Sequence, residues 1–164
     1  MKRTPLKRGT KQMKRTKLRV KGHSDTADIK EDIQYLLRQI VIKRDGGCIF
    51  RDLPDRIYNQ PPCNGYRNDG ELILQADHLI SRENSATYAE SRLVVCVCKG
   101  HHGWKSVGSN LRKKQYDMIV RKLLSADRVE LWDKCEMDSW RPVRTGVYDW
   151  QLHKVALEQE LKKL

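Results

Sequence analysis

Phenylalanine occurs once in these 164 residues, hydrophobic residues make up only 38% of them, and no run approaches the ~20 apolar residues of a membrane span. That pattern predicts no membrane-spanning helix. A domain of this length can bury a core, but with so few large apolar side chains the core must be small, and a bound metal would help to staple it. No apolar segment follows the basic start as a signal peptide would require, which predicts a soluble intracellular protein. Cysteine is present five times (Cys48, Cys63, Cys96, Cys98 and Cys135), an odd set that argues against a disulfide framework and for reduced thiols, some of them on metal.

Acidic residues are missing from positions 1–21, where ten Lys or Arg stand. The formal net charge of +12 is therefore concentrated in an arm, and the other 143 residues carry only +2. Met1-Lys-Arg-Thr-Pro-Leu-Lys-Arg8 and Met13-Lys-Arg-Thr-Lys-Leu-Arg-Val20 repeat one another loosely, and neither offers an apolar face. The arm, taken as residues 1–23, is read as disordered when free. Lys2, Arg3, Lys7, Arg8, Lys14 and Arg15 can neutralise phosphates and release counterions, so the arm is expected to tether nucleic acid; the plainer reading is a solubilising tail.

After the arm, Ile29, Ile33, Leu36, Leu37, Ile40 and Val41 recur at helical spacing, from a cap at Ser24 or Asp25 to the stop at Gly46-Gly47. Cys48 to Gly70 is rich in Pro, Asn, Asp and Gly and reads as an irregular loop carrying Cys63. Glu71 to His78 and Leu93 to Cys98 read as strands, joined by a polar loop from Ser81 to Arg92. Lys99-Gly100 opens a segment that can start a helix. From Asn110, the apolar positions Leu111, Tyr116, Ile119, Val120, Leu123, Leu124, Val129 and Leu131 predict one or two packed helices. Ser139 to Asp149 reads as a linker, and Trp150 to Leu164 as a terminal amphipathic helix.

Two clusters carry chemistry. Cys98-Lys-Gly-His101 has the C-x2-H spacing of a zinc knuckle, whose tight turn aims two ligands at one tetrahedral ion. Cys48, beside its Gly-Gly turn, and Cys63, between Pro62 and Asn64-Gly65, are the natural second pair, although 14 residues separate them. They could instead be two unrelated structural thiols. Cys96 and Cys98 share one face of a strand, so Cys96 either replaces one of these ligands or packs in the core. Cys135 is read as simply buried or idle. The second cluster is Asp77-His78 with His102. A carboxylate and an imidazole can share a divalent cation, and a second imidazole can take a proton from water near neutral pH. Adjacent strand residues point to opposite faces, so a bend at the strand's end is expected to bring Asp77 and His78 to one site. His101 and His102 diverge by roughly 100° at a helix start, so one can face the zinc and the other the second ion.

Arg44-Asp-Gly-Gly-Cys48, Gln75-Ala-Asp-His-Leu-Ile-Ser81 and Leu93-Val-Val-Cys-Val-Cys-Lys-Gly-His-His-Gly-Trp-Lys105 follow, in order, the blocks of the zinc-knuckle HNH (ββα-metal) endonucleases, which this stretch resembles. More loosely, the basic start, the Ser81-Arg-Glu-Asn-Ser-Ala-Thr87 loop and the Trp-led last helix resemble the phage NinG (Rap) recombination nucleases. The resemblance implies a two-stranded hairpin and a helix around a catalytic Mg²⁺ or Mn²⁺ held by Asp77 and His102. It makes His78 the general base, gives His101 the place of the second Cys in the last zinc pair, and implies cleavage that leaves a 5′-phosphate. The Asn that names the class is missing, since Ser91-Arg92-Leu93 stands where it should lie. Asn84 is one substitute for it, and Arg92 could contact the scissile phosphate instead as a bidentate donor. Lys105 and Arg112 to Lys114 either extend the phosphate surface or form a solvated helix face.

The reading is an α+β fold with a small ββα-metal core and a structural zinc knuckle over residues 24–138, flanked by helices and followed by a linker and helix over 139–164. The expected activity is hydrolysis of duplex or branched DNA, in phage recombination or DNA processing, in the cytoplasm of a bacterium or a phage-infected host. The rival from another class is a noncatalytic zinc module that holds nucleic acid through the arm, and a weaker rival is a catalytic-zinc hydrolase of small molecules.

Overall fold

The helical spacing after the arm is realised as α1 (Asp25–Asp45), in which Ile33, Leu37, Ile40 and Val41 form one fully buried stripe. The computed structural model describes residues 25–53, 60–106, 110–139 and 149–164. The arm, with Lys2, Arg3, Lys7, Arg8, Lys14 and Arg15, lies outside them. Gly46 ends α1 because its φ of 66° is left-handed and its N–H closes the last turn on the Ile42 carbonyl at 3.1 Å.

Two antiparallel strands, β1 (Leu74–His78) and β2 (Val94–Cys98), pair with Ala76 opposite Cys96 and Asp77 opposite Val95. The first strand starts three residues after Glu71, where it was expected, because a separate bridge between Tyr66 and Leu72 and a bond from Ile73 N–H to the Gly65 carbonyl turn the chain before it. Leu93, expected to open the second strand, belongs instead to a 3-10 turn at Ser91–Leu93.

Every residue of β2 is buried, which explains a run of apolar residues where a half-exposed strand would alternate. Val94 and Cys96 face α1 and the C-terminal helix, whereas Val95 and Val97 face a second cluster with Phe50, Tyr116, Ile119, Val120 and Trp132. β2 runs without a loop into α2 (Lys99–Ser106). Two further helices follow, α3 (Asn110–Leu123) and α4 (Ala126–Ser139), with Arg121 of α3 ion-paired to Asp133 and Glu136 of α4. The last helix, α5 (Trp150–Lys163), packs on α1. Leu157 is buried there, Lys154 pairs with Asp32, and the Ser91 hydroxyl donates to Glu160 at 2.7 Å. The last helix thus shares a core with the sheet through Leu157, Val94 and Cys96. The described residues form an α+β arrangement of five helices and a two-stranded sheet, and no described helix is long and apolar enough to cross a membrane.

The outer edge of β2 is closed by side chains and by the backbone of the turn after α1. Cys96 N–H donates to Asp45 Oδ2 at 2.9 Å, its carbonyl accepts from Ile49 N–H at 3.0 Å, and the Val94 carbonyl accepts from Arg44 and Arg128. Such capping blocks pairing with another strand.

Candidate metal centre and neighbouring cleft

The turn at Gly46-Gly47 delivers Cys48, a loop delivers Cys63, the end of β2 delivers Cys98, and the first turn of α2 delivers His101. Their ligand atoms all lie within 4.8 Å of one another. His101 Nδ1 stands 3.0 Å from the Cys98 sulfur, 3.5 Å from that of Cys48 and 3.8 Å from that of Cys63. A tetrahedral zinc with bonds of about 2.3 Å to sulfur and 2.0–2.1 Å to nitrogen has edges of about 3.6 Å, so the spacing fits such an ion. Three thiols and an imidazole are also a soft donor set, unsuited to Mg²⁺ or Ca²⁺. The hydrogen bond between the Cys48 and Cys98 sulfurs pulls the Cys98 thiol well below its ordinary range and pushes Cys48 up, so one thiolate forms easily in the bare cluster. These four residues can therefore hold a structural zinc, and Cys48 and Cys63 are not unrelated thiols.

Two details of this cluster escape strand parity. Cys96 packs among the α1-side residues, while Cys98 joins the opposite cluster. Cys98 is the last residue of β2, directly before α2, and there the two cysteines part company. The start of α2 also demands Gly100, where a Cβ would come within 1.8 Å of Asn64 Oδ1 on the Cys63 loop. The His101 ring is held by a parallel stack on Phe50 at 4.4 Å, and its buried Nε2 has no hydrogen-bond partner. Cys135 lies half-buried outside the cluster.

Beside this centre, across α2, opens a cleft of about 530 Å³ whose lining includes Asp77, His78, Arg82, His102, Lys105 and Lys113. Asp77 is buried and faces α2 and α3, where its Oδ2 accepts from Lys105 Nζ at 2.8 Å and from the Tyr116 hydroxyl at 2.6 Å. Its Oδ1 lies 3.7 Å from His102 Nε2. Burial pushes the Tyr116 phenol well above its ordinary range, with the Asp77 charge adding to the effect, so the hydroxyl stays a donor. Lys105 Nζ also donates to the His78 carbonyl at 2.8 Å.

His78 points the other way, its Nε2 lying 3.2 Å from the Tyr88 carbonyl. A carbonyl can only accept, so Nε2 carries the proton and Nδ1 is the basic nitrogen. Burial holds the imidazole below its ordinary pKa, which keeps it neutral near pH 7. The expected bend is not there. The ladder continues through His78 opposite Val94 and on to a bond from Leu79 N–H to the Leu93 carbonyl at 2.9 Å. Asp77 and His78 keep opposite faces and meet the same cleft because the outer edge of β1 forms its wall.

This chain matches no protein-family model, no curated protein and no solved structure. Of the residues singled out in the sequence, Cys48, Cys63, Cys98 and His101 converge at the metal centre, and Asp77, His78, His102 and Lys105 converge at the cleft. Arg92 does not join them. It is exposed and clamped by both Glu90 oxygens at 2.8 and 3.1 Å, away from the cleft lining. Asn84 spends its side chain on the Ala86 N–H within the connecting turn. Tyr88, Tyr116, Phe50 and Arg82 were missed as site residues. In the sequence Tyr116 is one more apolar helix position, and nothing in the spacing reveals a phenol aimed at Asp77.

Proposed function

We propose that this chain is a metal-dependent endonuclease that hydrolyses phosphodiester bonds in DNA at the cleft beside its structural zinc. The carrying observation is that Asp77 Oδ1 and His102 Nε2 stand 3.7 Å apart in a cleft that a neutral, oriented His78 also lines. One ion at about 2.1 Å from each ligand spans that separation. The order of hairpin and short helix, and the sequence resemblance to HNH endonucleases, point to the same chemistry.

Asp77 and His102 would hold a Mg²⁺ or Mn²⁺ ion, which supplies Lewis-acid stabilisation of negative charge on the reacting phosphate. His78 Nδ1 takes a proton from water as its oxygen attacks phosphorus in line with the leaving oxygen, and the P–O bond to that oxygen breaks. The Tyr88 carbonyl fixes the imidazole through Nε2–H, the orienting task that the class gives to its Asn. Tyr116 and Lys105 hold Oδ2, which turns Oδ1 toward His102. Lys105, Arg82 and Lys113 set positive charge around the cleft, where a polyanion must enter. The Cys₃His centre has no open ligand position and takes no part in the chemistry. A noncatalytic zinc module would need that centre and the arm alone and gives the cleft no role.

Incubation with supercoiled plasmid and with branched DNA, in parallel with Mg²⁺, Mn²⁺ and EDTA, tests this reading. Cutting with either ion and none in EDTA is the expected result. Intact DNA under every ion would defeat it.

A further inference from the structure

The cleft does not end at the catalytic residues. A second cavity of about 350 Å³ lies between α1 and β1, lined by Gln34, Tyr35, Arg38, Leu74, Gln75 and Ala76. Gln75 and Ala76 line the catalytic cleft as well, so the two form one groove along the outer edge of β1. Gln34 and Arg82 tie the two parts together, the Arg82 guanidinium donating to Gln34 Oε1 at 3.4 Å.

The groove's walls are polar and aromatic. Gln34, Tyr35 and Arg38 share one flank of α1, at i, i+1 and i+4, beside the stripe that packs on the sheet. Gln34 Nε2, Arg38 Nε and Gln75 Oε1 are buried with no hydrogen-bond partner in the protein. Tyr35 is 64% exposed on the flank, a large aromatic surface left in water. The floor is polar too. Because Cys96 directs its N–H and carbonyl away from β1, Ala76 opposite it directs its own away from β2 and into the groove. The matching edge of β2 is closed by Asp45, Ile49, Arg44 and Arg128, whereas no described strand covers this edge of β1. The charges along the way, Arg38, Arg82, Lys105 and Lys113, outnumber the single carboxylate of Asp77.

We propose that the groove between α1 and the outer edge of β1 carries a single, unpaired nucleic-acid strand into the cleft, with Tyr35 stacking on a base and Arg38 holding a phosphate. The direction of entry rests on the nuclease reading; strand binding itself does not. The cationic rim selects a polyanion over a peptide strand, and an opening confined between a helix and the strand packed beside it takes one extended chain, not a duplex. An aromatic platform beside a basic groove is the general means of holding unpaired bases without sequence preference.

The test uses the full chain without divalent ions, so that nothing is cut, and compares the affinities for a short oligo(dT) and for a hairpin duplex. Comparing that ratio between variant and wild type cancels the contribution of the basic arm, which is the same in both proteins. Tyr35→Ala should weaken oligo(dT) binding roughly 5- to 150-fold and leave the duplex unchanged, the range seen when one stacking side chain is removed. Tyr35→Phe should behave as wild type, and Arg38→Gln should also lower the ratio. An oligonucleotide carrying 5-iodouracil should photocross-link to Tyr35. An unchanged ratio in Tyr35→Ala, or cross-links only at other residues, would overturn the proposal. Cleavage of single-stranded, branched and plasmid DNA with Mg²⁺ or Mn²⁺, run in parallel, separates the two ideas. Cutting with no effect of Tyr35 sinks the groove alone, and a Tyr35-dependent ratio without any cutting sinks the nuclease alone.

Discussion

Tyr116→Phe removes one oxygen and leaves the ring where Phe50 and Trp104 already pack, at centroid distances of 5.2 and 6.1 Å. No cavity larger than a hydroxyl opens. What is lost is a 2.6 Å hydrogen bond to Asp77, a carboxylate only 4% exposed that keeps Lys105 as its other Oδ2 donor. A hydrogen bond to a charged group contributes about 1.5–3 kcal/mol, so the melting temperature should fall by about 3–10 °C in a domain of this size. Zinc content should not change, because none of the four ligands touches the hydroxyl. Divalent-ion affinity at Asp77 and His102 should fall about 10- to 100-fold, since the partner that orients the carboxylate has gone. Thermal denaturation, zinc analysis and Mn²⁺ titration read these three effects.

The same variant has a signature in alkali. Burial raises the folded-state pKa of the phenol above its ordinary value of 10.0. Below that value both the folded and unfolded chains carry a neutral phenol; above it only the unfolded chain ionises, so stability falls as pH rises. Phenylalanine cannot ionise, and the difference in stability between wild type and variant should shrink above pH 10. A melting temperature within error of wild type together with an identical alkaline slope would refute the bond to Asp77.

Cys98→Ser should release the zinc and unfold the domain, whereas Cys96→Ser should keep it, read by zinc analysis and circular dichroism. His78→Ala should keep zinc and fold while slowing cleavage by roughly 10²–10⁴-fold. In the wild type, His78 is active as the neutral imidazole and its pKa is lowered by burial. Cleavage should therefore rise with pH through a midpoint below the ordinary 6.5; a midpoint above 6.5 would contradict the assignment. Deleting residues 1–21 should weaken DNA binding and flatten its dependence on salt, because ten cationic side chains are removed. An unchanged slope of affinity against salt would dismiss the tether.

The pairing of Cys98 with His101 and the first helix were legible along the chain, because both follow from local geometry, whereas the arrival of Cys48 and Cys63 beside them was settled by folding. A C-x2-H turn aims two ligands at one point wherever it occurs, and apolar residues at helical spacing need a partner surface of any kind. Gly46 could be read as a stop for the same local reason. The tertiary structure alone decided what depends on neighbours distant in the chain. Strand parity placed Cys96 and Cys98 on one face, and only the direct run of β2 into α2 sends them to different cores. Parity also set Asp77 and His78 apart, correctly, but a shared cleft at an uncovered strand edge has no signature in either residue. Arg92 is a local case that residue type alone leaves open, since the 3-10 turn at Ser91–Leu93 sets Glu90, two positions before it, on its guanidinium. Tyr116 stands 39 positions from Asp77, and a hydrogen bond over that separation exists only because α3 packs on the sheet. Spacing along a chain encodes angles around one axis; the distance between side chains on separate elements is set by how those elements pack.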